Sequence, residues 1–508
     1  MTHFTLWLRR LAAVSIGVLL PAWAGAQSWQ WAVTPVTNAQ GFSRVAAVAL
    51  DGTGGLVVTG IFSGTVAFGA TALTSVGAQD LYVARLDESG AWTQAVRGPA
   101  GAAPGALAVD AAGTAVVAGQ FAGPSATFGT FPLANAGTGT TTDLFVARLS
   151  AAGAWTQAVR GGGAGAEEAT ALALDAAGNA VVAGTYRDAA TAFGAATLSN
   201  GGGFDVFVAR LSAAGAWTQA VGAGSSGSDV ARALALDASG TAHVAGDFDS
   251  FSVRFGAVTV ANSTDGTGGI GTFSTPFVAS LTAAGTWARA VRATSSGSMT
   301  AVGLAGDGAG NLVVTGHFTG QTARFGLLSL SNVNPRSNGI SADVYVARLS
   351  AAGAWTQAVG AGGPGSDRPA GLALDGQGNA VVVGTFQGAT ATFGPTVLTN
   401  TTVPVPPSED TVPDAFVARL SAAGAWTQAV GAGGPEQDAA LDAAVDATGG
   451  RVFITGGFQG PSAFGPTVLA SASAVSAAFV ARVGGLPLGT ANSVVARARL
   501  TLSPNPAR

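Results

Sequence analysis

The side chains able to do chemistry are few in this chain of 508 residues. It has 23 basic residues, all of them Arg, 27 acidic residues, three His and no Cys. Without Cys there is no disulfide, no thiolate nucleophile and no Cys-based metal site. No His-Glu-x-x-His, Gly-x-Ser-x-Gly or Walker-type pattern occurs, so the usual metalloprotease, serine-hydrolase and nucleotide-hydrolase readings have no support. Gly-rich segments such as Gly222-Ala223-Gly224-Ser225 connect strands and open no helix, which removes a phosphate cradle. The sequence therefore assigns no catalytic residue, no cofactor and no metal. Charged residues make up 10% of the chain, the net charge is −4 and no basic run exists, which argues against a nucleic-acid partner.

What remains is a set of polar residues that interrupt a repeating background. At one recurring position, near the end of a strand and after a Gly, stand Ile61, Gln120, Thr185, Asp247, His317, Thr385 and Gly457. Connections to the next repeat add Glu167, Glu168, Asp229, Arg232, Asp367, Arg368 and Asp438 at the same end. The candidate binding set is Asp229, Arg232, Asp247, His317, Asp367 and Arg368, an acid, His and Arg mixture at a wet opening. The alternative for these residues is a solvated rim with no ligand. A carboxylate-only glycosidase or lyase at that opening stays open, because spacing places no acid pair at a defined separation.

Two further patterns read as structural. An Asp-x-x-Gly turn recurs at Asp51, Asp110, Asp175, Asp237, Asp307, Asp375 and Asp446. Each supplies one carboxylate, whereas calcium takes six to eight oxygens. The matching second turn carries Asp87, Ser150, Ser212, Thr282, Ser350 and Ser421, and interchange of Asp, Ser and Thr fits turn capping. Asp and Arg also recur five residues apart, as Asp80/Arg85, Asp143/Arg148, Asp205/Arg210, Asp343/Arg348 and Asp414/Arg419. Both are absent from the fourth repeat (Thr275, Ser280), which predicts that these charges pair, between repeats if not within one. His243 stands where other repeats have Val and reads as a buried neutral imidazole.

The elements that position these residues form one unit written seven times. Phe-Gly recurs at Phe68, Phe128, Phe193, Phe255, Phe325, Phe393 and Phe464, and an aromatic-Val-Ala segment at Tyr82, Phe145, Phe207, Phe277, Tyr345 and Phe416, with Phe479 in the last. Trp92, Trp155, Trp217, Trp287, Trp355 and Trp426 close six units. Each unit reads as four short strands of Ala, Val, Leu and aromatics bounded by Gly turns, with no sustained helical period. Such radial repetition predicts an all-β, seven-bladed β-propeller of four-stranded blades. The seventh unit lacks its Trp strand, and residues 28–34 supply one (Trp29, Trp31), so both chain ends are expected to complete the last blade. The propeller is expected to span residues 27–483. Long insertions at residues 262–276, 332–342 and 400–413 lie on the face opposite the Asp turns, so a binding face is expected on units four to six.

The ends read as addresses. Residues 1–26 hold Arg9-Arg10, an apolar stretch and Ala24-Gly25-Ala26, the grammar of a secretory signal peptide cut between Ala26 and Gln27. No later run is long and apolar enough for a transmembrane span. With the unit "LALDAAGNAVVAGTY … FG … DVFVARLSAAGAWTQAV" in view, the chain resembles the bacterial SBBP β-propeller repeat across roughly residues 28–483. That resemblance implies a propeller fold and a secreted or surface location, and no defined reaction. After a linker at 484–498, residues 499–508 (Arg499 to Arg508, with Pro504-Asn505-Pro506) resemble the opening strand of a type A sorting domain, which implies the type IX secretion machinery as a partner. The expected role is an exported, non-catalytic binding or scaffold module with a protein or glycan ligand. A carbohydrate-active enzyme and a purely structural or adhesive component are the alternatives.

Overall fold

The computed structural model describes residues 28–38, 41–137, 141–262, 273–334, 341–402, 411–471 and 476–484. The signal-peptide and sorting-domain segments read from the sequence lie outside them, as does the linker apart from Gly484, which ends a strand.

The chain is all-β and propeller-like. Among the described residues there are seven four-stranded antiparallel sheets. Unit three is representative, with an inner strand Glu167–Leu174, a second strand Ala180–Tyr186, a third Asp205–Leu211 and an outer strand Trp217–Ala223. Ala- and Val-rich segments suit second and third strands covered on both faces, and nearly every residue of those strands is buried. Inner strands lie side by side in sequence order, and Phe42–Leu50 touches both Ala102–Val109 and Asp438–Val445.

The last sheet is made by both ends of the described chain. Ser28–Val33 pairs antiparallel with Ala477–Gly484, outside Val452–Phe458 and Asp438–Val445. Trp29 there repeats what the other Trp residues do. Its ring meets Phe464 edge-on at 5.1 Å, as Trp92 meets Phe68 at 5.0 Å and Trp355 meets Phe325 at 5.2 Å. Its Nε1–H donates to Gly431 O of the preceding sheet, as Trp217 donates to Arg160 O.

Each unit holds more than four strands. The Phe-Gly link is a two-stranded hairpin, for example Thr322–Phe325 with Leu328–Ser331. Gly326 takes the turn at φ 59°, where a side chain would be strained. The hairpin drops its Phe between the third-strand aromatic and the Trp.

The Asp–Arg pairs do not form. Asp80, Asp143, Asp205, Asp343 and Asp414 open the third strand, and their Arg partners stand near its other end. Antiparallel extension separates them, so each finds a local partner. The Asp accepts from loop amides, such as Val76 N–H at 2.9 Å and Gly201 N–H at 2.7 Å. The Arg reaches into the next unit instead. Arg85, Arg148, Arg210 and Arg348 each donate to the turn Gly carbonyl there (Gly113, Gly178, Gly240, Gly378) at 2.7 Å. In unit four Ser280 bonds His243 Nδ1 at 2.9 Å, and burial lowers the pKa of that His.

Candidate functional site

A β-bulge in every inner strand builds the floor of the site. Register shifts at the same place in all seven, leaving Ala46, Gly105, Thr170, Arg232, Val302, Ala370 and Leu441 as the extra residues. A bulge bends its strand and re-aims one side chain, and all seven line a common central cavity of about 230 Å³. Small side chains keep it open. Its charged lining residues are Arg232 and Asp442. Asp442 accepts from Val48 N–H at 2.9 Å, and burial pushes its carboxyl up to about 6.

The recurring variable position lies two residues above each bulge, across the inner and second strands. Opposed pairs there are Arg44/Ile61, Glu168/Thr185, Val230/Asp247, Thr300/His317 and Arg368/Thr385. Arg232 rises from its bulge to ion-pair with Asp247. Glu168 of unit three lies close enough to raise the pKa of that guanidinium further. Arg368 Nη1 donates to His317 Nε2 at 2.9 Å. Because a guanidinium only donates, Nε2 carries no proton, and Nδ1–H donates to Thr300 Oγ1 at 3.1 Å. Burial, then the charges of Arg368 and Arg232, push His317 down to about 3, so the imidazole is neutral at physiological pH. Arg368 also bonds Ser366 Oγ at 3.0 Å. Burial lowers its pKa with no acid offsetting it.

Of the six candidate binding residues, Arg232, Asp247, His317 and Arg368 therefore come together at one end of the cavity. Asp229 and Asp367 do not. Both are fully buried at the junctions between units, with Glu167 and Asp438, where they accept from Ser225 Oγ at 2.9 Å and Gly363 N–H at 2.6 Å. The turn Asp residues cap their own hairpins at the opposite end. Asp175 Oδ1, for one, accepts from Ala177 and Asn179 N–H, each at 2.9 Å.

The long insertions are tied at their bases by an Asn. Asn262 Nδ2 donates to Ser250 O at 3.0 Å and Asn400 Nδ2 to Val412 O at 3.0 Å. Their interiors, residues 263–272, 335–340 and 403–410, lie outside the described residues.

Sequence reasoning missed Asp442, Arg44 and Thr300. Asp442 carried a signal, since the residue after the bulge is Ala or Gly in the other six units (Ala47, Ala106, Ala171, Ala233, Gly303, Gly371). Arg44 lines a separate recess with Gln437, Gln459 and Ser476, which opens because Gly457 stands at the variable position there.

Among the described residues no group of three or more His, Cys, Asp or Glu is placed to hold a metal ion, and no helix is long and apolar enough to cross a membrane. No family model matches the chain, and no curated protein matches it significantly. Solved structures similar to it include the WD40 domain of Neurospora crassa Pan2, at 11% identity over 88% of this chain and 90% of that one with a TM-score of 0.43. The WD40 β-propeller domain of Doa1 is similar at 9% identity over 91% and 97%, TM-score 0.41. A protein of unknown function from Dyadobacter fermentans is similar at 10% identity over 91% and 100%, TM-score 0.41.

Proposed function

We propose that the chain is an exported, non-catalytic binding or scaffold module, a closed seven-bladed propeller that takes its ligand at the cavity mouth on the side of units four to six. The observation that carries this reading is Arg368. It is a partly desolvated guanidinium at the mouth, held by a neutral His317 and by Ser366 and lacking a carboxylate partner among the described residues. A guanidinium so placed is matched to a carboxylate or sulfate presented by a glycan or protein ligand. Arg232 is already matched by Asp247, so it orients the rim and leaves Arg368 as the recognition charge.

Catalysis has less support. Asp247 is engaged by Arg232, His317 is held as a hydrogen-bond acceptor, and Asp442 faces a cavity whose other charged lining residue is Arg232. No second acid stands beside Asp442 as an acid/base partner there. Export, display at the cell surface and handling by type IX secretion rest on the sequence resemblances of the two chain ends.

The test is a glycan and polysaccharide array on the whole chain, with product analysis of every hit. Binding without cleavage is the expected result, and it is lost in Arg368→Ala. Replacing the three long insertions by short Gly-Ser links also removes it. Turnover of a bound polysaccharide would make the protein a carbohydrate-active enzyme. Self-association with no hit would make it a structural component.

A further inference from the structure

A second set of acids repeats at the junctions between units, away from the mouth. One backbone bond recurs there. The N–H of Glu167, Asp229, Met299, Asp367 and Asp438 donates to the carbonyl of Thr142, Phe204, Ser274, Ala342 and Pro413, each of which precedes the first residue of the third strand. This sets that first residue beside the one opening the next unit. Four junctions thereby hold two acids, Asp143/Glu167, Asp205/Asp229, Asp343/Asp367 and Asp414/Asp438. Both acids are absent at two of the others, with Thr275 and Met299 between units four and five, and Ala477 and Ser43 between seven and one. Asp80 has no such partner and pairs with Arg97 at 3.1 Å.

The four pairs are satisfied differently. Asp143 takes Arg160 at 2.7 Å on Oδ2, which neutralises its charge although its Oδ1 also lacks a partner. Asp414 and Asp438 take the hydroxyls of Thr401 and Ser462. For the other two pairs, Gly222 and Gly360 occupy the strand position of Arg97 and Arg160, so no guanidinium is supplied. At these two junctions Asp205, Asp229, Asp343 and Asp367 are each at most 3% exposed, yet Oδ1 of all four has no hydrogen-bond partner. A buried carboxylate oxygen left so is costly. Glycine lets these carboxylates pack directly against the backbone, as Gly162 and Gly433 do at the other two junctions. A Cβ on Gly362 would meet Asp343 Oδ1 at 2.5 Å and Asp367 Oδ2 at 2.9 Å, and one on Gly224 would meet Asp205 Oδ1 at 2.1 Å.

We propose that the Asp343/Asp367 and Asp205/Asp229 junctions each bind a hard divalent cation of calcium's kind. The donors are oxygen only, two carboxylates neutralise the double charge, and calcium's flexible coordination shell accepts carbonyls and waters for the remainder. The ions join unit three to four and five to six, bracketing the strands that carry Arg232, Asp247, His317 and Arg368. The inference stands whether or not the mouth binds a ligand.

The experiment is a calcium chloride titration of the whole chain after stripping with chelator, followed by calorimetry and thermal unfolding. Two calcium ions bind and the melting temperature rises by several degrees, with a much weaker response to magnesium. Asp343→Asn combined with Asp367→Asn removes one of the two ions. Gly362→Ala keeps both acids but its Cβ pushes both carboxylates aside, and it also removes one ion, so it decides the matter should the double variant not fold. No heat and no shift up to millimolar calcium overturns the proposal, as does survival of both sites in the variants. A stability that falls with rising pH yet ignores calcium overturns it too, and assigns each pair a shared proton.

Discussion

Arg368 and His317 are read as one device. The guanidinium fixes the imidazole tautomer, and its bonds to His317 and Ser366 leave its other hydrogens for a ligand. Arg368→Ala is expected to weaken ligand binding by about 1.5–3 kcal/mol, the range for a hydrogen bond to a charged group. His317→Ala is expected to lower affinity less, and neither substitution should change melting by much. Equal binding by Arg368→Ala and the parent in a direct titration contradicts the assignment. Burial, together with neighbouring acids, gives the junction carboxylates the opposite behaviour from an ordinary surface acid. Asp229, facing Asp205 and Asp249, and Asp438, facing Asp414, are pushed up to about 7. A folded pKa above the unfolded value means that the stabilisation is full below the unfolded pKa and is lost as pH rises through the folded one. In chelator, stability contributed by these groups is therefore lost between about pH 4 and about pH 7. His317, lowered to about 3, gives the reverse slope, losing stability as pH falls below about 6.5. Comparing Asp229→Asn with the parent across this range separates the two, and an unchanged difference between them at every pH contradicts the burial argument.

At the scale of elements, the Phe-Gly hairpin and the outer Trp form the recurring outer lock. Phe325 is fully buried against Tyr345 and Trp355, so Phe325→Ala is expected to cost about 3–5 kcal/mol, measured by denaturant unfolding. The Arg latch between neighbouring units is smaller. Arg210→Ala leaves the Gly240 carbonyl without its donor and is expected to cost about 1–3 kcal/mol, whereas an exposed Arg such as Arg254 should be silent. These elements differ in how visible they are in the chain. Strands were legible because Ala-Val-aromatic runs and Gly turns are local signals, and the N-terminal Trp strand because one repeat lacks it. The hairpin was not, since three or four residues on either side of Phe-Gly carry no alternation long enough to read. The bulges were invisible as well. They insert one residue into a run of small side chains, so Arg232 could be named as polar but not aimed. Asp229 sits three residues from Arg232 and Asp367 directly beside Arg368, yet burial between units is set by the neighbouring unit's third strand, which sequence proximity does not reveal.

For the whole molecule, the account depends on the two chain ends sharing one sheet. Only then do the seven inner strands enclose a common cavity and bring units four to six to its rim as described. Deleting residues 28–33 removes Trp29, its edge-on contact with Phe464 and its bond to Gly431 O, and is expected to expose the edge of Ala477–Gly484 and cause association of chains, seen by size-exclusion chromatography with light scattering. The most direct test uses the absence of native Cys. Ala32 and Ala481 are register partners across the terminal pair, so Ala32→Cys with Ala481→Cys places two thiols opposite one another in an otherwise thiol-free chain. Oxidation is predicted to give a monomeric, circularly linked species with faster mobility on a non-reducing gel and a higher melting temperature. Free thiols, or only disulfide-linked dimers under the same conditions, would contradict closure and with it the assembled mouth.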